Sequence, residues 1–195
     1  MRGSGSGGVV VLFSGGVDST LLATLALSYG RLKACVFVDY GQPASWRERA
    51  ACEAWCKATG VELVSHVCIL PVAAMRIGAG EPGARVVPVR NLILIGIATA
   101  YAVERGAGEV WYGAIADDQA DYSDCRPAWV TDCNRLTGHD GVRVRAPLIG
   151  RSKGEVVAWA TELGVDLGAC WSCYEPTAQG APCGTCDSCR ARTRA

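Results

Sequence analysis

The chain alternates short apolar runs with amphipathic stretches, and glycine marks most of the joins. The first run is Val9–Phe13, all apolar. A polar, glycine-containing turn follows at Ser14–Ser19, then an amphipathic stretch from Thr20 to Tyr29 that stops at Gly30. This pattern predicts a buried strand, a tight turn and a helix. The same alternation continues along the chain. Strands are expected near Leu32–Asp39, Glu62–Cys68, Glu109–Tyr112 and Val142–Ala146. Helices are expected near Ala44–Thr59, Asn91–Arg105, Arg126–Leu136 and Lys153–Leu163. The Gly/Pro-rich stretch from Gly78 to Pro88 reads as a loop or lid. Strands alternating with helices predict an α/β fold, a mostly parallel sheet with helices on both faces. Ligands of such sheets bind beyond the carboxyl ends of the strands. The Ser14–Ser19 turn, Asp39 and Gly113 all fall at such ends.

The turn Ser14-Gly15-Gly16-Val17-Asp18-Ser19 is the strongest candidate for chemistry. Its backbone N–H groups and the positive end of the following helix suit a pyrophosphate. The two glycines let an anion approach closely. Ser14, Ser19 and Thr20 add hydroxyl donors, and Asp18 fits either a helix cap or a magnesium ligand. No G-x-x-x-x-G-K-[ST] motif occurs, so this is not a Walker loop.

Composition narrows the picture. Of 195 residues, 50% are hydrophobic, enough for one α/β domain and a small appendage. Nineteen basic residues balance nineteen acidic ones, so global charge offers no reason to expect nucleic-acid or membrane binding. No apolar run approaches the ~20 residues that span a bilayer. Residues 1–8 are Gly/Ser-rich, unlike a signal peptide, and read as disorder or a linker.

Eleven cysteines, an odd number, argue against a secreted disulfide framework and for a cytoplasmic protein. The last five read Cys170-Trp-Ser-Cys173, then Cys183-Gly-Thr-Cys186-Asp-Ser-Cys189. Such spacing suits four thiolates on one ion, and Cys173, Cys183, Cys186 and Cys189 are the natural set for a structural Zn²⁺. Cys170 is a fifth candidate that either replaces Cys173 or stays free. An iron–sulfur cluster and redox thiols are the alternatives. Cys35, Cys52, Cys56, Cys68 and Cys133 read as core, and His66 and His139 carry no assigned role.

The Ser14–Ser19 turn resembles the PP-loop signature S-G-G-x-D-S of the ATP pyrophosphatases. Further segments are similar to one family, the 7-cyano-7-deazaguanine synthases of the queuosine and deazapurine pathway. They are Asp39-Tyr40-Gly41-Gln42, Val87-Pro88-Val89-Arg90-Asn91-Leu92, Tyr122-Ser123-Asp124-Cys125-Arg126-Pro127, Pro147-Leu148-Ile149 with Ser152-Lys153, and Trp171-Ser172-Cys173-Tyr174. They span nearly the whole chain in family order. The resemblance implies a Rossmann-like, adenine nucleotide alpha hydrolase-like domain over 9–165 and a zinc-binding appendage over 166–195. It also implies a reaction. The carboxylate of 7-carboxy-7-deazaguanine attacks ATP, ammonia converts the acyl-adenylate to an amide, and a second ATP drives dehydration to the nitrile.

Roles follow from the matched positions. Ser14, Gly15, Gly16, Asp18 and Ser19 would hold the pyrophosphate of ATP, with Asp18 a ligand for Mg²⁺. Lys153 would reach the phosphates or stand solvated at a helix start. Asp39 would contact the nucleotide or cap a turn. Arg90 suits an anion, and Asn91 binds substrate or caps its helix. Asp124 and Arg126 would read the deazaguanine, with Cys125 between them. A homodimer is implied as well.

The chain also departs from the family. Val89 stands where glycine is usual, Ile115 where asparagine is usual, and Ser123 where proline is usual. Pro43 and Ala44 replace a basic residue and a histidine. Ile115 is expected to remove a polar side chain beside the pocket. The changes cluster near substrate, which keeps a second reading open: a ligase that couples the acid to another amine, such as one on a partner polypeptide. Transfer-RNA thiolation or lysidine formation would want a basic face or RNA-binding extension. A degenerate, zinc-stabilised binding module that keeps ATP affinity only is the non-enzymatic reading, and a chain losing catalysis has little physical need for the intact Ser14–Ser19 loop.

Overall fold

The computed structural model describes residues 7–70 and 87–194. Most of the loop read at Gly78–Pro88, and residues 1–6 of the N-terminal segment, lie outside them. The strands are β1 (Gly8–Leu12), β2 (Leu32–Asp39), β3 (Leu63–Val67), β4 (Ala107–Trp111) and β5 (Arg143–Arg145). The helices are α1 (Val17–Ser28), α2 (Ser45–Thr59), α3 (Arg90–Glu104), α4 (Pro127–Thr137), α5 (Lys153–Glu162) and α6 (Asp187–Arg194).

The sheet runs in the order β3-β2-β1-β4-β5. Every adjacent pair is parallel. Strand alternation sorts β1 onto two cores. Val9, Val11 and Phe13 pack with Leu21 and Leu22 of α1, Cys52 of α2 and Val156 of α5. Val10 faces the other way, onto Leu94, Ala98 and Ala102 of α3. β1 is thus buried on both faces, which is why it reads as an unbroken apolar run. Cys35, Cys52, Cys56 and Cys133 are all buried.

The chain leaves β1 by α1 toward β2 and β3, then returns to β4 on the other side of β1. The order reverses at the carboxyl end of β1, where ligands of open α/β sheets bind. Among the described residues no helix is long and apolar enough to cross a membrane.

Two expectations were incomplete. α1 starts at Val17 rather than Thr20, because half of the polar turn is the helix's own first turn. α6 had no counterpart in the sequence reading, since its segment is polar and arginine-rich.

Candidate active site

The Ser14–Ser19 turn joins β1 to α1 and is held by its own hydroxyls. Ser19 Oγ accepts from the Ser14 backbone N–H at 3.2 Å and donates to Gly16 O at 3.1 Å. Gly15 sits at φ +72°, and a Cβ there would lie 2.8 Å from Ala51 Cβ and 3.0 Å from Glu48 O. Glycine is therefore required twice over, by backbone conformation and by space. Gly16 is the residue before α1, so the first-turn N–H groups point out beyond it.

The turn opens on a cavity of about 320 Å³ at the carboxyl ends of β1, β2 and β4. Ser14, Gly16, Asp18, Ser19, Arg90, Asn91 and Cys125 line it. Lys153 lies outside the lining but reaches Asp18, its Nζ 2.7 and 2.9 Å from the two carboxylate oxygens. Its backbone N–H donates to Asp117 Oδ2 at 2.9 Å. α5, which begins at Lys153, is fixed by a capping box between Ser152 and Glu155.

Other residues singled out in the sequence fall elsewhere. Asp39 turns away from the cavity: its Oδ1 accepts from Gly41 N–H, and its Oδ2 accepts from Ser45 Oγ and Arg49 Nη2. The Arg126 guanidinium donates to the carbonyls of Gln119 and Ala120, bracing the turn that carries Asp118. Asp124 contributes its backbone carbonyl to Tyr112 Oη at 3.1 Å. Asn91 does not cap α3, because the residue ahead of that helix is Val89. Its Oδ1 instead accepts from Arg90 Nε at 3.3 Å. Ile115, expected beside the pocket, is 3% exposed and packs into the core with Phe13 and Leu148.

The cavity also holds groups to which the sequence assigned no role, although Gln42 and Tyr174 lie in the family-like segments. Asp118, Glu48, Gln42, Tyr112 and Tyr174 line it. Burial, then the neighbouring Asp18 carboxylate, pushes Asp118 up to about 6 from its ordinary 3.8, against the pull of Lys153. Burial likewise raises Glu48, although Gln42 Nε2 donates to it at 2.8 Å. Arg90 Nη1 donates to Tyr40 Oη at 3.4 Å. The Asp117-Asp118 pair just beyond β4 was the available sequence signal for one of these groups. Glu48 had none, since an acidic residue in a first helical turn is ordinary.

Behind the turn lies the cysteine cluster. The sulfurs of Cys173, Cys183, Cys186 and Cys189 all lie within 4.8 Å of one another. Cys183 N–H points at Cys173 Sγ, Cys186 N–H at Cys183 Sγ and Cys189 N–H at Cys186 Sγ, at 3.2 to 3.4 Å. Desolvation works against the Cys183 thiolate, but hydrogen bonds from the backbone N–H groups of Thr185 and Cys186 and from the Thr185 and Cys173 side chains together bring that thiol down to about 6. The donor set fits a thiolate-bound metal. Cys170 stands apart from the four, its thiol directed at Asp166 O.

The family model for "Queuosine biosynthesis protein QueC" matches residues 8–81 and 69–195. The chain belongs to the QueC family. It is 35% identical over 210 residues to 7-cyano-7-deazaguanine synthase 1 of Sphingopyxis alaskensis, covering 95% of this chain and 92% of that protein. It is 36% identical over 204 residues to the 7-cyano-7-deazaguanine synthase of Marinobacter nauticus, covering 96% and 91%. This makes the QueC-family chain an enzyme of an ATP-dependent, C–N bond-forming class. Its fold is similar to that of the U34-tRNA thiolase NcsA from Methanococcus maripaludis, solved with its [4Fe-4S] cluster. That match has a TM-score of 0.60 at 17% identity and covers 97% of this chain and 64% of the other.

Proposed function

We propose that this QueC-family enzyme adenylates the carboxylate of 7-carboxy-7-deazaguanine and converts it, through the amide, to 7-cyano-7-deazaguanine. The observation that carries this reading is one cavity joining the Ser14–Ser19 loop to Arg90, Asn91 and Cys125 at the sheet's switch point. A carboxylate is a poor electrophile. Transfer to the α-phosphate of ATP turns one of its oxygens into a leaving group, with pyrophosphate expelled. The loop N–H groups hold the β and γ phosphates, and Lys153, paired with Asp18 beside the loop, supplies a cation for their charge. Arg90 offers a cation for the substrate carboxylate. Ammonia then displaces AMP to leave the amide. A second ATP activates the amide oxygen, and loss of AMP leaves the nitrile.

Asp18 and Asp118 offer the hard oxygen donors that magnesium prefers, and the ion would neutralise phosphate charge. For the cysteines we favour Zn²⁺ over a cluster. Zn–S bonds of about 2.3 Å place tetrahedral sulfurs about 3.8 Å apart. The sulfurs of Cys183 and Cys189 are 3.9 Å apart. A [4Fe-4S] cube spreads its thiolates around four irons, wider than one ion does. We read the enzyme as a cytoplasmic homodimer acting on a small molecule rather than on nucleic acid.

The test is mass spectrometry of the product from enzyme, 7-carboxy-7-deazaguanine, ATP, magnesium and ammonium, with AMP counted. The nitrile with about two AMP per product supports the synthase. Pro43 and Ala44, which replace a basic residue and a histidine of the family, favour a second reading: both line the cavity. In it the acid is adenylated and coupled as an amide to another amine, such as one on a partner polypeptide. AMP release without nitrile, with amide formed only on an added amine, would select it.

A further inference from the structure

We propose that the cysteine appendage sets the ATP loop, with Trp171 as the positioning residue between the metal site and the phosphate-binding N–H groups. The proposal rests on the reading of Ser14–Ser19 as a pyrophosphate loop.

Trp171 N–H donates to Gly15 O at 2.9 Å. That carbonyl belongs to the peptide whose other pole is the N–H of Gly16. A trans peptide is planar, so its C=O and N–H point in opposite directions. Holding the Gly15 oxygen toward the appendage therefore turns the Gly16 N–H the other way. Gly16 is a lining residue of the cavity.

The loop is confined from two sides. On one, Ala51 Cβ and Glu48 O of α2 close the space beside Gly15. On the other, a Cβ on Gly16 would meet Trp171 O at 3.3 Å. The Gly15–Gly16 peptide therefore lies between α2 and Trp171, with the Gly15 carbonyl bonded to the Trp171 backbone N–H.

Trp171 is itself tied to the cysteines. Its indole N–H donates to Cys173 O at 2.7 Å. The Arg47 guanidinium covers its ring at 4.4 Å. It packs with Ala44, Cys173 and Cys186 in a small core of its own. Two ligands of the metal site thus share a core with the residue that orients the loop. Losing the metal frees Cys173, then Trp171, then the Gly15–Gly16 peptide. The appendage's influence on catalysis runs through phosphate affinity rather than through overall folding.

The experiment compares Trp171→Phe, Trp171→Ala and wild type, each metal-loaded, by calorimetry with magnesium pyrophosphate and separately with AMP. Trp171→Phe keeps a ring and loses the bond to Cys173 O. The backbone N–H to Gly15 O survives, but its anchor to the cysteines is lost, so pyrophosphate binding should weaken roughly tenfold, the scale of a misaligned Gly16 N–H bond to the charged ligand, while AMP affinity changes less than twofold. Equal losses for both ligands, or none with the metal retained, would overturn the proposal. Amide hydrogen exchange across Ser14–Ser19, with and without chelator, supplies the ligand-free arm. Faster exchange in the loop on metal removal, with α3 unchanged, is expected; an unchanged loop would sink the clamp. Should wild type bind neither ligand, the pyrophosphate reading falls, while hydrogen exchange still decides the clamp.

Discussion

Lys153 Nζ grips both carboxylate oxygens of Asp18, at 2.7 and 2.9 Å, across 135 residues of chain. Lys153 opens α5 and Asp18 lies in the first turn of α1, so two helix starts meet at the Ser14–Ser19 turn. Both side chains keep partial solvent contact. Such a pair adds at most about 1 kcal/mol to stability. Lys153→Met should therefore lower AMP release by about 100-fold, the loss expected when a transition-state charge loses its partner. The melting temperature should barely move. AMP formation at saturating ATP, measured beside a thermal melt, checks this; near-normal turnover would remove Lys153 from the mechanism.

Asp118 carries a carboxyl raised to about 6 from 3.8 by burial and by Asp18. The folded state thus holds this proton more tightly than the unfolded chain does. The associated stability is full below about pH 4 and is lost as pH rises through about 6. Asp118→Asn should melt higher than wild type at pH 8, and the gap should close near pH 4. A gap independent of pH would contradict the assignment.

Val89 precedes α3 at φ +54°, the left-handed region, although it is β-branched. That conformation costs a residue with a Cβ roughly 1–2 kcal/mol. The residue is 65% exposed, so little packing offsets the strain. The reward is local: the turn delivers Arg90 to Tyr40 at the cavity. Val89→Gly should stabilise the protein by about 1 kcal/mol, less than the full strain because glycine gains freedom in the unfolded chain. Urea denaturation would read this directly, and a lowered midpoint would show that the strain is not real.

Metal analysis should find one zinc per chain, with no visible absorbance from an iron–sulfur cluster. Cys186→Ser should lose the metal and unfold the appendage while the α/β domain stays folded, since binding energy on the order of 10 kcal/mol is folding energy for so small an element. Cys170→Ser should keep the zinc, because its thiol serves Asp166 O and not the cluster. Zinc loss from the Cys170 variant would reassign the ligand set.

Much of this molecule was legible before folding was considered. The unbroken apolar run at Val9–Phe13 and the glycine turn after it are local signals, because a strand buried on both faces needs no alternation and a tight turn needs glycine. The cysteine cluster was equally plain, since ligand spacing is a property of short segments, but the choice between Cys170 and Cys173 was left to the fold. Helix ends were less so: α1 absorbs Val17, Asp18 and Ser19, which sequence alone reads as turn.

What the sequence determined by itself was therefore the local chemistry: the strand–turn–helix at Ser14–Ser19, the alternation that builds the sheet, and the thiolate set. Only the tertiary structure decided which distant groups share the site. It brought Lys153 to Asp18, placed Asp118 and Glu48 in the cavity, and turned Asp39 away to Ser45 and Arg49. It also laid Trp171 N–H on the Gly15 carbonyl. The reason is physical. Turn, helix and ligand spacing depend on neighbours a few residues away, whereas the direction of a long side chain depends on what packs against it, and that is settled only when the strands take their order.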